Sequence, residues 1–321
     1  MLFNDALVFD GAVFSTPGSA NPGTGAPGLS LSFPCMAVAT LTFGDRVATE
    51  VERKRSQLVV GLDPRPDLLP VELRGDVTRF CHGIIDAVAP HAVAVKPQLA
   101  FFEALGPQGA SALADTCAYA RLAGLIVIAD GKRGDVGSTA RAYAAAYLEG
   151  DEPLADALTV NPWLGRDSVE PYLAAARRYG TGIFCVVKTS NSGGEVQDLT
   201  LSDGRPVWQH VAALVADWGA DLVGEHGLSS VGAVVGATHP RAVSEARKLM
   251  PQAILLLPGV GAQGAKPGDL ARAFTSGPAS ALVNASRSVN YAFRESGEDF
   301  RVAAGAEAAR LRSEVWTVSG W

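Results

Sequence analysis

Residues 127–140 read VIADGKRGDVGSTA. An apolar, β-branched run stops, and Asp130, Lys132, Arg133 and Asp135 follow within six positions. Side chains on a strand alternate faces, so Asp130 and Lys132, two apart, point the same way. Neighbouring negative charge keeps an ammonium protonated. That disfavours a Schiff-base lysine, which must be neutral to attack, and favours a lysine that donates a proton. A carboxylate fixed beside it repels an anionic group on a substrate. The pattern suits a reaction that expels a negative group and protonates the carbon left behind. As a purely structural acid, Asp135 would sit at the head of the helix that GSTARAYAAAYLEG opens, where it favours the helix dipole. That reading leaves a lysine between two carboxylates unexplained.

Such residues need a frame. Eight short apolar runs alternate with longer helical stretches: LVVGLD (58–63), AVAVK (92–96), LIVIAD (125–130), ALTVNP (157–162), GIFCVV (182–187), VGAVVGA (231–237), AILLLPG (253–259) and ALVNAS (281–286). Continuous apolar strands covered by helices imply a parallel sheet. Eight strand–helix units predict an α/β fold, a (β/α)8 TIM barrel. An open doubly wound sheet is the alternative, weakened because no GxGxxG follows the first strand.

The active site of a parallel barrel lies where its strands end. Here the runs end in Asp63, in Lys96 and Gln98, in Asp130 and Lys132, in Asn161, in Lys188, Thr189, Ser190 and Asn191, in Gln263, and in Asn284, Ser286 and Arg287. A solvated loop explains any one of these groups. It explains the set poorly, because the loops at the other end, such as RLAG, carry fewer. The loops after the last two strands, GVGAQGAKPG and ASRS, suit a phosphate: glycines let backbone N–H groups approach an anion, and Arg287 can grip it bidentately.

The remaining composition narrows the class. The chain has 321 residues, 48% of them hydrophobic and 19% charged, with a formal net charge of −6. No Lys/Arg block stands out, so nucleic acid is not an expected partner. No apolar run is long enough to span a membrane, and the N-terminus lacks the basic features of a secretory or transit signal. Cys35, Cys81, Cys117 and Cys185 are spaced for neither zinc nor a disulfide framework, and reduced thiols favour a cytoplasmic protein. Residues 1–35, rich in Gly, Pro and Ser, read as a flexible leader, with Met36 a candidate start of one barrel domain over 36–321.

DGKRGDVGSTA resembles the D-x-K-x-x-D signature of the orotidine 5′-phosphate decarboxylases. VVGLDPRPDLLP, VKPQLAFFE, TVNPWLG, KTSNSGG, PGVGAQG and NASRSV are similar to stretches of a bacterial subfamily, in the same order. The resemblance implies a homodimer of barrels that converts orotidine 5′-monophosphate to UMP and CO2 without metal or cofactor, closing de novo pyrimidine synthesis. It implies that Lys132 protonates C6 of the pyrimidine and that Asp130 faces the departing carboxylate. Asp135 would complete the network from the partner subunit, with Thr139 reaching the neighbour's ribose. Asp63 and Lys96 would contact ribose, Ser190 the pyrimidine, and Gln263 and Arg287 the phosphate. Asn161 falls near the site. Ser192 stands where the subfamily usually has proline. Segments SNSGGEVQD and GAQGAKPG are candidate lids. A related barrel enzyme, hexulose-phosphate synthase, shares D-x-K-x-x-D but needs carboxylates around Mg2+, including one after strand 2. Here strand 2 ends Lys96-Pro97-Gln98, and Glu103 lies further on.

Overall fold

The structure, a computed structural model, describes residues 41–191, 193–260 and 264–321. The leader expected over 1–35 lies outside the described residues, as do Ser192 and Gln263. The eight strands are β1 (Leu58–Leu62), β2 (Ala94–Pro97), β3 (Ile126–Arg133), β4 (Ala157–Val160), β5 (Gly182–Lys188), β6 (Val231–Val235), β7 (Leu255–Pro258) and β8 (Ala281–Ala285). All pair in parallel, in chain order, and β8 closes on β1. The alternation of apolar runs and helical stretches therefore produces the barrel it predicts.

Each strand serves two cores. Outward side chains such as Val60, Val95, Val127, Leu158 and Cys185 pack under the surrounding helices. Inward ones, including Val59, Ala94, Ile128, Ala157, Phe184, Leu256 and Leu282, fill the barrel itself. Both faces are dry, which is why these runs are continuously apolar rather than alternating.

The N-terminal end of the barrel is plugged by the helix Phe43–Lys54. Thr42 caps it, its hydroxyl accepting from the Asp45 N–H at 3.1 Å. The helix buries Phe43, Val47, Ala48 and Val51 on one face. The Phe43 ring meets Phe184 edge-on with centroids 5.8 Å apart. Gly182 is required there, since a Cβ would lie 2.4 Å from the Phe43 ring. Burying one such phenyl contributes about 1.5–3 kcal/mol. Plugging this end leaves the other, where the strands finish, as the open mouth.

One crossover departs from the expected pattern. Between β7 and β8 the chain forms a 3-10 helix, Pro267–Phe274, instead of an α-helix. Gly264, Pro267, Gly268, Gly277 and Pro278 crowd this connection, and such residues disfavour α-helix. Cys81, Cys117 and Cys185 are free, buried thiols, as expected for three of the four cysteines.

Candidate active site

The inward side chains change character toward the open mouth. On β1, Val59 is followed two positions on by Gly61 and then Asp63; on β2, Ala94 by Lys96 and then Gln98. On β3, Ile128 gives way to Asp130. On β4, Ala157 gives way to Thr159, and on β8 Leu282 to Asn284 and Ser286. The apolar layers of the barrel thus end in one polar layer. A cavity of about 290 Å3 opens there, lined among others by Asp63, Lys96, Asp130, Lys132, Ser190 and Arg287. Six of the predicted site residues therefore meet in one place.

Asp130 is the centre of this layer and is buried. Lys132 Nζ lies 2.6 Å from its Oδ1, and Lys96 Nζ lies 2.6 Å from its Oδ2. Thr159 donates to Oδ1 at 2.9 Å and Gln98 Nε2 donates to Oδ2 at 3.1 Å. Burial alone would push the Asp130 carboxyl up. The charges of Lys96 and Lys132, with their hydrogen bonds, outweigh it and hold the group well below the ordinary carboxylate range. For Lys96, burial opposes the charge, while Asp130 and Asp63 outweigh it and raise its affinity for a proton. Asp63 is pushed up by burial, against the pull of Lys96. Its Oδ1 is buried, with the Ser286 hydroxyl close by.

Asp130 and Lys132 do share the cavity, but not by simple strand alternation. Pairing between β3 and β4 shifts register between Ala129 and Arg133. Within that irregularity Lys132 adopts φ of 45°, the left-handed region that side-chain-bearing residues seldom occupy. The Lys132 N–H donates to Thr159 Oγ1 at 2.9 Å. Asn161 N–H donates to the Arg133 carbonyl at 2.7 Å, resuming the ladder beyond the bulge. Close approach is also enforced between β1 and β8: a Cβ on Gly61 would lie 1.9 Å from Ser286 Oγ.

Other predicted residues lie elsewhere. Asn161 is exposed at the rim, where its Oδ1 accepts from Trp163 N–H at 3.1 Å and caps the turn Pro162–Leu164. Asp135 Oδ1 accepts from the Val136 N–H at 2.7 Å, and among the described residues no ion pair joins it to Lys132. Thr139 is exposed on the helix Gly137–Leu148. Within one chain the charged chain is therefore Lys96–Asp130–Lys132, with Asp135 and Thr139 outside the cavity. Glu103 pairs with Arg133, whose guanidinium also lies over the Tyr143 and Tyr147 rings. The loop after β5, a candidate lid, is braced: Lys188 Nζ reaches Asp198 at 2.7 Å, and Gln197 Oε1 accepts from the Thr189 N–H at 2.9 Å. Thr159 is the member of the site that the sequence reading did not single out. Its signal was a hydroxyl at an inward position of an otherwise apolar run.

Known proteins share this chain's sequence and its barrel. The family model for "Orotidine 5′-phosphate decarboxylase / HUMPS family" matches residues 56–294. The chain is similar to the orotidine 5′-phosphate decarboxylase of Rhodopirellula baltica, with 47% identity over 282 residues, covering 82% of this chain and 92% of that protein. It is 48% identical over 281 residues to the enzyme of that name from Deinococcus radiodurans, covering 86% and 97%. Among solved structures, a putative orotidine 5′-phosphate decarboxylase from Streptomyces avermitilis superposes with a TM-score of 0.76 at 40% identity, covering 88% of this chain and 97% of that one. With the barrel, the cavity and the matched span in agreement, the chain belongs to the orotidine 5′-phosphate decarboxylase / HUMPS family.

Proposed function

We propose that this protein decarboxylates orotidine 5′-monophosphate to UMP and CO2, acting as a cytoplasmic homodimer without metal or cofactor. The observation that carries the reading is the Lys96–Asp130–Lys132 chain of charge, held at 2.6 Å on either side of one buried carboxylate at the cavity mouth. Breaking the C6–carboxylate bond leaves an electron pair on C6 in the plane of the pyrimidine ring, where the ring's π system cannot spread it. Where bound substrate displaces water from the cavity, a fixed ammonium attracts that charge far more strongly than water would. The Lys132 ammonium then gives its proton to C6, CO2 departs, and the amine recovers a proton from solvent. Asp130 pairs with the Lys132 ammonium at 2.6 Å and stands where the substrate carboxylate would be repelled.

Asp63 Oδ1 is a buried acceptor that a ribose hydroxyl can satisfy. Arg287 borders the same cavity three strands round the barrel from β3, and its guanidinium would take the phosphate at the far end of a nucleotide. Gln263 and Ser190 are assigned to the phosphate and the pyrimidine by the resemblance. The homodimer is supported by the rim: Val136 is 47% exposed, Trp163 68% and Leu164 49%, beside Asp135 and Thr139. A second copy packed on this apolar rim would bring its own Asp135 and Thr139 to the cavity. No helix among the described residues is long and apolar enough to cross a membrane.

The test is direct. Purified protein treated with a chelator is mixed with orotidine 5′-monophosphate, and loss of the orotate chromophore is followed by ultraviolet absorbance, with UMP identified as product. Turnover that survives chelation is expected. No loss of substrate, or activity that returns only with Mg2+, contradicts the proposal.

A further inference from the structure

We infer that Thr159 is a positioning residue for this reaction: its hydroxyl holds the left-handed turn that aims Lys132 and fixes the plane of the Asp130 carboxylate. The inference rests on the decarboxylase reading of the site. Thr159 is 1% exposed, and its neighbours on β4 are Ala157, Leu158 and Val160. Packing does not call for a hydroxyl there. Valine has the same shape, suits a strand better and hides no polar group. The hydroxyl therefore needs a chemical reason.

The contacts supply one. Thr159 Oγ1 accepts from the Lys132 N–H at 2.9 Å and donates its single proton to Asp130 Oδ1, also at 2.9 Å. One atom thus ties the backbone of the proposed proton donor to the side chain of its partner acid. Both bonds act where help is needed. Lys132 sits at φ of 45°, a conformation that persists only when surrounding contacts over-determine it. The Thr159 hydroxyl, on the neighbouring strand, accepts that residue's N–H. If it is removed, the peptide at Lys132 can relax toward the extended region, and the ammonium at the end of that side chain swings with it. On Asp130, the hydroxyl and Lys132 Nζ share Oδ1 while Lys96 Nζ and Gln98 Nε2 share Oδ2. Four donors on two oxygens leave the carboxylate one orientation. Thr159 does not line the cavity, so it acts through Lys132 and Asp130 rather than on the substrate.

Two substitutions separate this role from core filling. Thr159→Val keeps the volume and removes the hydroxyl; Thr159→Ser keeps the hydroxyl and opens a methyl-sized gap. Steady-state kinetics with orotidine 5′-monophosphate, UMP affinity and thermal melting are measured on both beside the wild type. A misplaced proton donor lowers kcat of the valine variant about tenfold to a hundredfold, while its KM and UMP affinity stay within about threefold. The serine variant keeps kcat within about threefold of wild type, even though the lost methyl lowers its melting temperature. A filler gives the reverse order, with valine fully active and serine impaired. Wild-type kcat in the valine variant, a serine variant no faster than it, or a valine variant that does not fold overturns the inference. A wild type that leaves the substrate unchanged contradicts the decarboxylase reading instead, and the same assay shows which has failed.

Discussion

The ammonium of Lys96 lies 2.6 Å from Oδ2 of Asp130, on the neighbouring strand, and both groups are buried. This pairing, as much as the two-residue spacing of Asp130 and Lys132, defines the site. The charge of Lys96 does most to offset the burial of Asp130. It lets an ionised carboxylate sit inside the barrel next to a substrate that carries another.

Replacing Lys96 by methionine keeps the stem and removes the charge. Asp130 then keeps only Lys132 as a cationic partner, and a buried pair has lost one member. Such breaks cost about 3–5 kcal/mol. The kcat/KM for orotidine 5′-monophosphate should fall at least about a hundredfold, the scale of losing one electrostatic donor. Urea unfolding and steady-state kinetics on Lys96→Met check both, and a kcat/KM within about tenfold of wild type contradicts the role.

Asp130 also makes stability depend on pH, with a definite sign. Its carboxyl titrates lower in the folded protein than the ordinary value of 3.8. Between the two values the unfolded chain binds more protons, so stability rises with pH there. The contribution is fully present above the ordinary carboxylate value and disappears as pH falls through the depressed one. Asp130→Asn removes the titrating group and leaves two lysines without their acid. Its urea midpoint should lie well below wild type at about pH 6, and the gap should narrow toward about pH 2. A gap that stays constant with pH contradicts the assignment.

Sharing of Asp135 across a dimer can be read from mixtures. Lys132→Ala and Asp135→Ala are each expected to be inactive alone. If each cavity draws Lys132 from one chain and Asp135 from the other, a mixed dimer holds one intact cavity and one doubly damaged cavity. Random mixing of unfolded and refolded chains then restores about one quarter of wild-type activity. If both groups act from the same chain, every cavity carries a defect and mixing restores nothing. The geometry here, with Asp135 unpaired to Lys132 within its chain, supports the first outcome.

Much of this was legible in the sequence, for physical reasons that differ by residue. The eight strands are apolar on both faces, so they stood out as continuous runs, and all eight appear. Their polar ends marked the mouth because polar inward groups are tolerated only where the barrel opens. What sequence could not give was pairing between strands. The resemblance implies a ribose contact for Lys96 but carries no sign that Lys96 also grips Asp130, 34 residues away along the chain. The left-handed turn at Lys132 was hidden because a bulge has no mark in a spacing of two. The apolar run 157–162 puts Asn161 at the end of β4. The strand ends at Val160, and Pro162 lets Asn161 serve as the cap of the next turn. Thr159 could have been found by continuing the inward parity from Ala157.

The most direct measurement is the turnover of Lys132→Ala saturated with orotidine 5′-monophosphate, made on protein whose UMP affinity shows an intact cavity. Losing both the proton donor and the charge facing C6 predicts a fall in kcat of at least about ten-thousand-fold. A kcat within about tenfold of wild type would mean that some other group steadies and protonates the carbanion, and the account would be wrong.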